Sequence, residues 1–182
     1  MKAEPFHFDP FNNRLARDIR NDLSRSFLQA LAEKNVSPFQ RCGADYMQMD
    51  LEPGYAGYVT ARLAKYEEAY TIIEERKLKE ILQQAAVLWD LGLYFEMHEL
   101  LEPAWKDAEG GRRRALQGLI RAAGMKIHAE NNNMRAAVTM GAKAQADLLK
   151  SGGELTGFVR LEVILAEIKE TLCTSPGTSR VA

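Results

Sequence analysis

Apolar residues recur with a helical rather than an alternating period along almost the whole chain. Leu15, Ile19, Leu23, Phe27 and Leu31 repeat every four residues amid Arg, Asp, Gln and Glu, the pattern of an amphipathic helix over residues 13–34. Val59, Leu63, Tyr66, Tyr70 and Ile73 predict a second helix from Tyr58 to about Glu75. Leu78, Ile81, Leu82, Ala85, Leu88 and Trp89 predict a third from Lys77 to Leu91. Gly92 follows where a left-handed residue commonly closes a helix, so Asp90-Leu91-Gly92 reads as a tight reversal into a helix from Leu93 to about Asp107. The two form an αα-hairpin. Beyond the break at Glu109-Gly110-Gly111, helices are expected over about 112–130, 134–150 and 154–172, with a residue tolerant of positive φ among Asn131, Asn132 and Asn133. Pro38, Gly43, Pro53, Gly54 and Gly57 interrupt residues 37–57, which read as a long ordered loop.

No alternation long enough for a sheet occurs, so the expected fold is all-α: a compact helical bundle of six or seven helices built around antiparallel αα-hairpins. It is read as a single helical domain over residues 1–182. Within it are an N-terminal helical extension over 1–75, a core over 76–150, a C-terminal helix over 151–173 and a flexible tail over 174–182. A chain of 182 residues is long enough for one domain with a genuine core.

The 24 basic and 25 acidic residues nearly cancel, which removes the overall field that would steer the chain to nucleic acid or an anionic membrane. Arg112-Arg113-Arg114 opens a helix, where the dipole disfavours cations, and Asp107 and Glu109 are the expected compensation. With Arg121, Lys126 and Arg135 pointing in several directions and no interleaved aromatic stripe, these cations read as a solvated face. Cys42 and Cys173 have no metal-knuckle spacing and form no disulfide framework. The early Glu4 and Pro5 are not expected of a secretory leader and no run of ~18 apolar residues occurs, so the expected location is the cytoplasm. Tyr46, Tyr55, Tyr58, Tyr66 and Tyr70, near Met47 and Met49, suit either core packing or a partner surface. The helix over 13–34 could dock on a second copy, so a homodimer is a candidate assembly.

Candidate chemistry is concentrated between Tyr94 and His128. On a wheel of about 100° per residue, Phe95, His98, Leu101, Glu102 and Trp105 share one face, Glu99 flanks it, and Glu96, Leu100 and Pro103 lie opposite. His98 and Glu102 are thereby set among apolar neighbours, which predicts partial burial with partners. On the next helix Gln117, Arg121, Gly124 and His128 form a stripe beside Leu116, Ile120 and Ile127. If the helices pack antiparallel, with Gly124 permitting close approach, His98, Glu102, Gln117 and His128 converge between them. Pro103 should kink the first of these helices or end it early.

The run Gly92-Leu-Tyr-Phe-Glu-Met-His-Glu-Leu-Leu-Glu-Pro-Ala-Trp105, followed by Leu116-Gln-Gly-Leu-Ile120 and His128, resembles the uncharacterised prokaryotic family called domain of unknown function 309. The resemblance covers roughly Ala85 to Leu148. It implies a small helical bundle without an established activity, and it places the family's characteristic positions on Gly92, His98, Glu99, Glu102, Trp105, Gln117, Gly118 and His128. Met97, Pro103 and Arg121 depart from the family pattern.

Four readings of this cluster follow from its chemistry. It is a module that binds a small ligand, metal or protein partner through Phe95, His98, Glu99, Glu102, Trp105, Gln117, Arg121 and His128. It is a divalent metal site of His98, Glu102 and His128, although Glu102 stands where the HExxH motif needs histidine. It is a metal-dependent or acid/base hydrolase centred on His98, Glu99, Glu102 and His128. Or it is a buried hydrogen-bond network that fixes the register of the hairpin, with Trp105 donating its indole N–H. No G-x-S-x-G, P-loop or GxGxxG motif supports catalysis, so the binding module is the leading expectation.

Overall fold

The computed structural model describes residues 6–174. Among them are eight α-helices, one short 3-10 turn and no strand. They form two compact units that divide between Lys77 and Leu78.

The first unit holds α1 (Arg14–Glu33), α2 (Ser37–Met47) and α3 (Pro53–Glu75), each packed on the other two. Asn13 caps α1 by accepting from the Ala16 N–H at 2.9 Å. The buried side of α1 is Ala16, Ile19, Leu23, Phe27 and Ala30, whereas Leu15 is 39% exposed. A strict four-residue repeat drifts about 40° per step around a 3.6-residue helix. The core therefore follows Ile19, Leu23 and Phe27 and leaves the first member of the repeat outside. Phe27, Phe39 and Tyr66 fill the centre, with Phe27 stacked on Tyr66 at 4.4 Å and Phe39 edge-on to Tyr66 at 5.8 Å.

The long loop expected over 37–57 is instead α2 and the start of α3, which raises the helix count to eight. The residues that look like breakers do other work here. Pro38 and Pro53 lie in first turns, where the missing N–H costs nothing. Gly43 lets α2 approach α3, since a Cβ there would lie 2.8 Å from Leu63 Cδ2.

The second unit is a run of neighbours, α4 (Ile81–Asp90), α5 (Tyr94–Asp107), α6 (Gly110–Glu130), α7 (Met134–Ser151) and α8 (Leu161–Cys173). Helix α6 is central and touches α5, α7 and α8. The reversal between α4 and α5 is a Schellman motif. Gly92 has φ +66°, its N–H donates to Trp89 O at 3.0 Å, and the Leu93 N–H donates to Leu88 O at 2.8 Å. Leu88 and Leu93, both fully buried, supply the hydrophobic contact that goes with it. Asn132 plays the same part after α6 at φ +57°, and the Asn133 side chain then caps α7.

Two further expectations change. Helix α5 runs through Pro103 to Asp107 rather than ending early. The last helix begins at Leu161 rather than near residue 154, because Gly152–Glu154 form the 3-10 turn and Gly157 takes φ +82°. Of the tail expected over 174–182, all but the first residue lies outside the described residues.

Candidate functional site

Helix α5 is wedged between α4 and α6, and the side it buries is Leu93, Glu96, Met97 and Leu101. Glu96, expected on the polar side, has no exposed surface. Of the face expected to carry the site, Leu101 is fully buried with Met97, while Phe95, His98, Glu102 and Trp105, with Glu99 at its flank, are half-buried. The His98 side chain is 28% exposed, Glu99 41% and Glu102 35%. Apolar residues occur all around this helix, so its phase was ambiguous until its neighbours selected Met97 and Leu101 for the core.

Along this outer row the groups engage one another. His98 Nδ1 lies 3.2 Å from Glu99 Oε1, and the Phe95 and His98 rings are parallel with centroids 6.4 Å apart. Lys106 Nζ donates to Glu102 Oε2 at 3.1 Å, one turn on. The Arg113 guanidinium sits over the Trp105 ring at 4.6 Å and donates to the carbonyls of Lys106 and Ala108 at 3.0 and 3.2 Å. Two of the three arginines at the start of α6 are satisfied by such contacts. Arg113 is spent on the C-terminal carbonyls of α5, and Arg112 reaches the Glu154 carbonyl at 3.4 Å, so carbonyls rather than Asp107 and Glu109 provide the compensation.

Arg121, Gly124 and His128 of α6 do not join that row. Arg121 is ion-paired with Asp147 of α7. Gly124 faces the same way, since a Cβ there would lie 2.7 Å from Met140 Sδ. The stripe that contains them therefore serves the contact of α6 with α7, not with α5. Gln117 is half-buried on the same helix.

His128 is separated from His98 by geometry. In an antiparallel pair that reverses between Asp107 and Gly110, His98 is level with Leu119, so His128 overshoots it by nine residues, about 13 Å at 1.5 Å per residue. Burial holds the His128 imidazole below its ordinary pKa. Among the described residues, no group of three or more His, Cys, Asp or Glu side chains is placed to hold a metal ion. The trio His98, Glu102 and His128 is thus not brought together.

A polar cluster that sequence reasoning did not assemble joins α4, α5, α6 and α8. Trp89, 3% exposed, donates its indole N–H to Glu167 Oε1 at 3.2 Å. Lys126 pairs with the same carboxylate and lies 5.7 Å from the centroids of both the Trp89 and Tyr94 rings. Burial beside Glu167, Glu130 and Asp90 pushes the Tyr94 phenol up to about 12. The cluster contains none of His98, Glu102, Gln117 and His128, the residues expected to form a register-fixing network, and its indole donor is Trp89 rather than Trp105. Its only sequence signal was an aromatic pair flanking the Gly92 turn. Lys126 and Glu167 each look like ordinary surface charges.

No helix among the described residues is long and apolar enough to cross a membrane. No curated protein and no solved structure matches the chain. Residues 82–140, from α4 into α7, match the family model described as Domain of unknown function (DUF309), slightly N-terminal of the stretch marked by the sequence resemblance. Through that segment, about a third of its length, the chain is similar to the DUF309 family.

Proposed function

We propose that the unit beginning at Leu78 is a binding module whose contact surface is the outer row of α5: Phe95, His98, Glu99, Glu102 and Trp105. One observation carries this reading. Of the positions that bear the family resemblance, Gly92 is accounted for by its left-handed turn and Gly118 by its close approach to Leu148. His98, Glu99 and Glu102 are half-buried outside the fully buried core, and Trp105 beside them lies beneath the Arg113 guanidinium. Side chains with hydrogen-bonding and aromatic character held outward on a rigid element are suited to recognition. Phe95, His98, Glu102 and Trp105 follow the spacing i, i+3, i+7 and i+10, the ridge that a helix lays into a partner's groove. A convex ridge favours a protein partner over a small ligand, which needs a concavity.

The second reading is acid/base hydrolysis, which draws on the 3.2 Å contact between His98 and Glu99. A carboxylate that orients an imidazole is the usual arrangement of a general base.

Site-directed photo-crosslinking tests the first reading. A photoreactive residue at position 102 should capture a partner in cells, and one at Lys150 on α7 should not. Capture should disappear in the Phe95→Ala/Trp105→Ala variant. Stability supplies the control. His98→Ala and Glu102→Ala should each change it by less than about 1 kcal/mol, whereas Met97→Ala, fully buried, should cost about 2–5 kcal/mol. If His98→Ala costs as much as Met97→Ala, the row is structural and the binding proposal fails. Hydrolysis of a model ester that is lost in both His98→Ala and Glu99→Gln would favour the second reading.

A further inference from the structure

We infer that the cleft between α1 and α2 is a binding site for a short zwitterionic peptide, its carboxylate held by Arg41 and its ammonium by Asp45. The cleft has a volume of about 450 Å³, within the range of small-molecule sites. Its lining mixes polar side chains with the apolar Pro38 and Met49. Ser26 and Tyr46 are buried there beside the half-buried Cys42 thiol, while the aromatic packing of Phe27, Phe39 and Tyr66 lies behind.

The walls carry two cations and two anions, Arg25, Arg41, Asp22 and Asp45, so a ligand bearing one charge of each sign leaves no charge unmatched. One half of this set is already used. Asp22 accepts from the Tyr46 hydroxyl at 2.7 Å and from Arg25 at 3.3 Å. Arg41 and Asp45 are exposed and make no ion pair or hydrogen bond with another described residue. With the cation N-terminal to the anion at i, i+4, they are in the less favourable order for pairing with each other.

Their Cβ atoms stand about 5–6 Å apart on one helix face. An extended dipeptide spans about 7 Å between its ends, a separation that the long Arg41 side chain can open opposite the short Asp45 carboxylate. The guanidinium is the better of the two basic side chains for a carboxylate, since it can offer two parallel donors.

Cys42 on the cleft floor provides the readout, and exposed Cys173 in the other unit provides an internal standard. The rate of N-ethylmaleimide labelling at each cysteine would be followed by peptide mass spectrometry at pH 7.5, with and without millimolar glycylglycine. Glycylglycine should slow Cys42 labelling several-fold and leave Cys173 unchanged, and Arg41→Gln and Asp45→Asn should each abolish the protection. No protection in the wild-type protein would overturn the inference. Equal protection by N-acetyl-glycylglycine, which lacks the ammonium, would overturn it too and would assign the cleft to simple anions. Protection that survives Arg41→Gln would be equally fatal.

Discussion

A methyl group added at Gly118 tests how closely α6 and α7 pack. A Cβ built there would lie 2.7 Å from Leu148 Cγ, 2.8 Å from Leu148 Cδ2 and 3.2 Å from Asp147 Cβ. Two effects oppose each other. Alanine gains about 1 kcal/mol of helix propensity over glycine, and overpacking a core costs about 1–3 kcal/mol. The clash should win, because Leu148 is 2% exposed and its Cγ is the branch point, so rotating the end of the side chain does not clear it. Asp147 is meanwhile held by Arg121, and α7 itself has to shift.

The expected net loss is up to about 2 kcal/mol, or a melting temperature lower by up to roughly 8 °C. Both tryptophans, Trp89 and Trp105, lie in the same unit as Gly118, so tryptophan fluorescence reads its unfolding directly. Gly57 in α3 is the counterpart, since a Cβ there meets nothing within 4 Å. Gly57→Ala should stabilise by about 0.5–1 kcal/mol, read by circular dichroism. A Gly118→Ala protein that melts at or above the wild-type temperature would refute the reasoning, as it would mean that α6 and α7 have room to spare.

Three further outcomes follow from the same physical picture. Lys126→Met and Glu167→Gln should each cost about 1–3 kcal/mol, and the double variant should cost less than the sum, because both break one partly buried pair; strict additivity in urea titrations would show that the two charges are not coupled. The folded-state pKa of His128 lies below its ordinary 6.5, so the unfolded chain takes up the proton first and stability present above pH 6.5 is lost as the pH falls. His128→Gln should flatten the urea midpoint between about pH 6.5 and 5, and an unchanged slope would exclude His128 as its source. Ser24 Oγ is buried without a hydrogen-bond partner among the described residues, so Ser24→Ala should be neutral or stabilising by up to about 1 kcal/mol, and a clear loss in thermal unfolding would contradict this.

The extent to which the sequence anticipates the structure differs between the fold and the site. Helix type and most helix ends follow from local chemistry, as at Asn13, Gly92 and Asn132, where a cap or a left-handed residue acts within a few residues of itself. Residues 37–57 misled because proline and glycine have two meanings. They break a helix in its interior, but they also start one, as Pro38 and Pro53 do, or admit a close neighbour, as Gly43 does. In the site, the individual residues of α5 were recognisable, and their partial exposure agrees with the wheel, but their convergence with α6 was not legible. Periodicity gives the phase of each helix separately; it carries no information about which neighbour each face meets.

By itself, the sequence determined that the chain is helical, where its hairpin turns, and which segment carries the family's residues, because propensity, capping and glycine turns act over a few residues. Tertiary packing decided that Met97 and Glu96 rather than His98 face inward, that Arg121 and Gly124 serve α7, and that Lys126 meets Glu167 across Trp89 and Tyr94. The physical reason is that burial is a property of a pair of surfaces. A helix with apolar residues on several sides has several faces it could bury, and only the shapes and charges of the neighbouring helices select one.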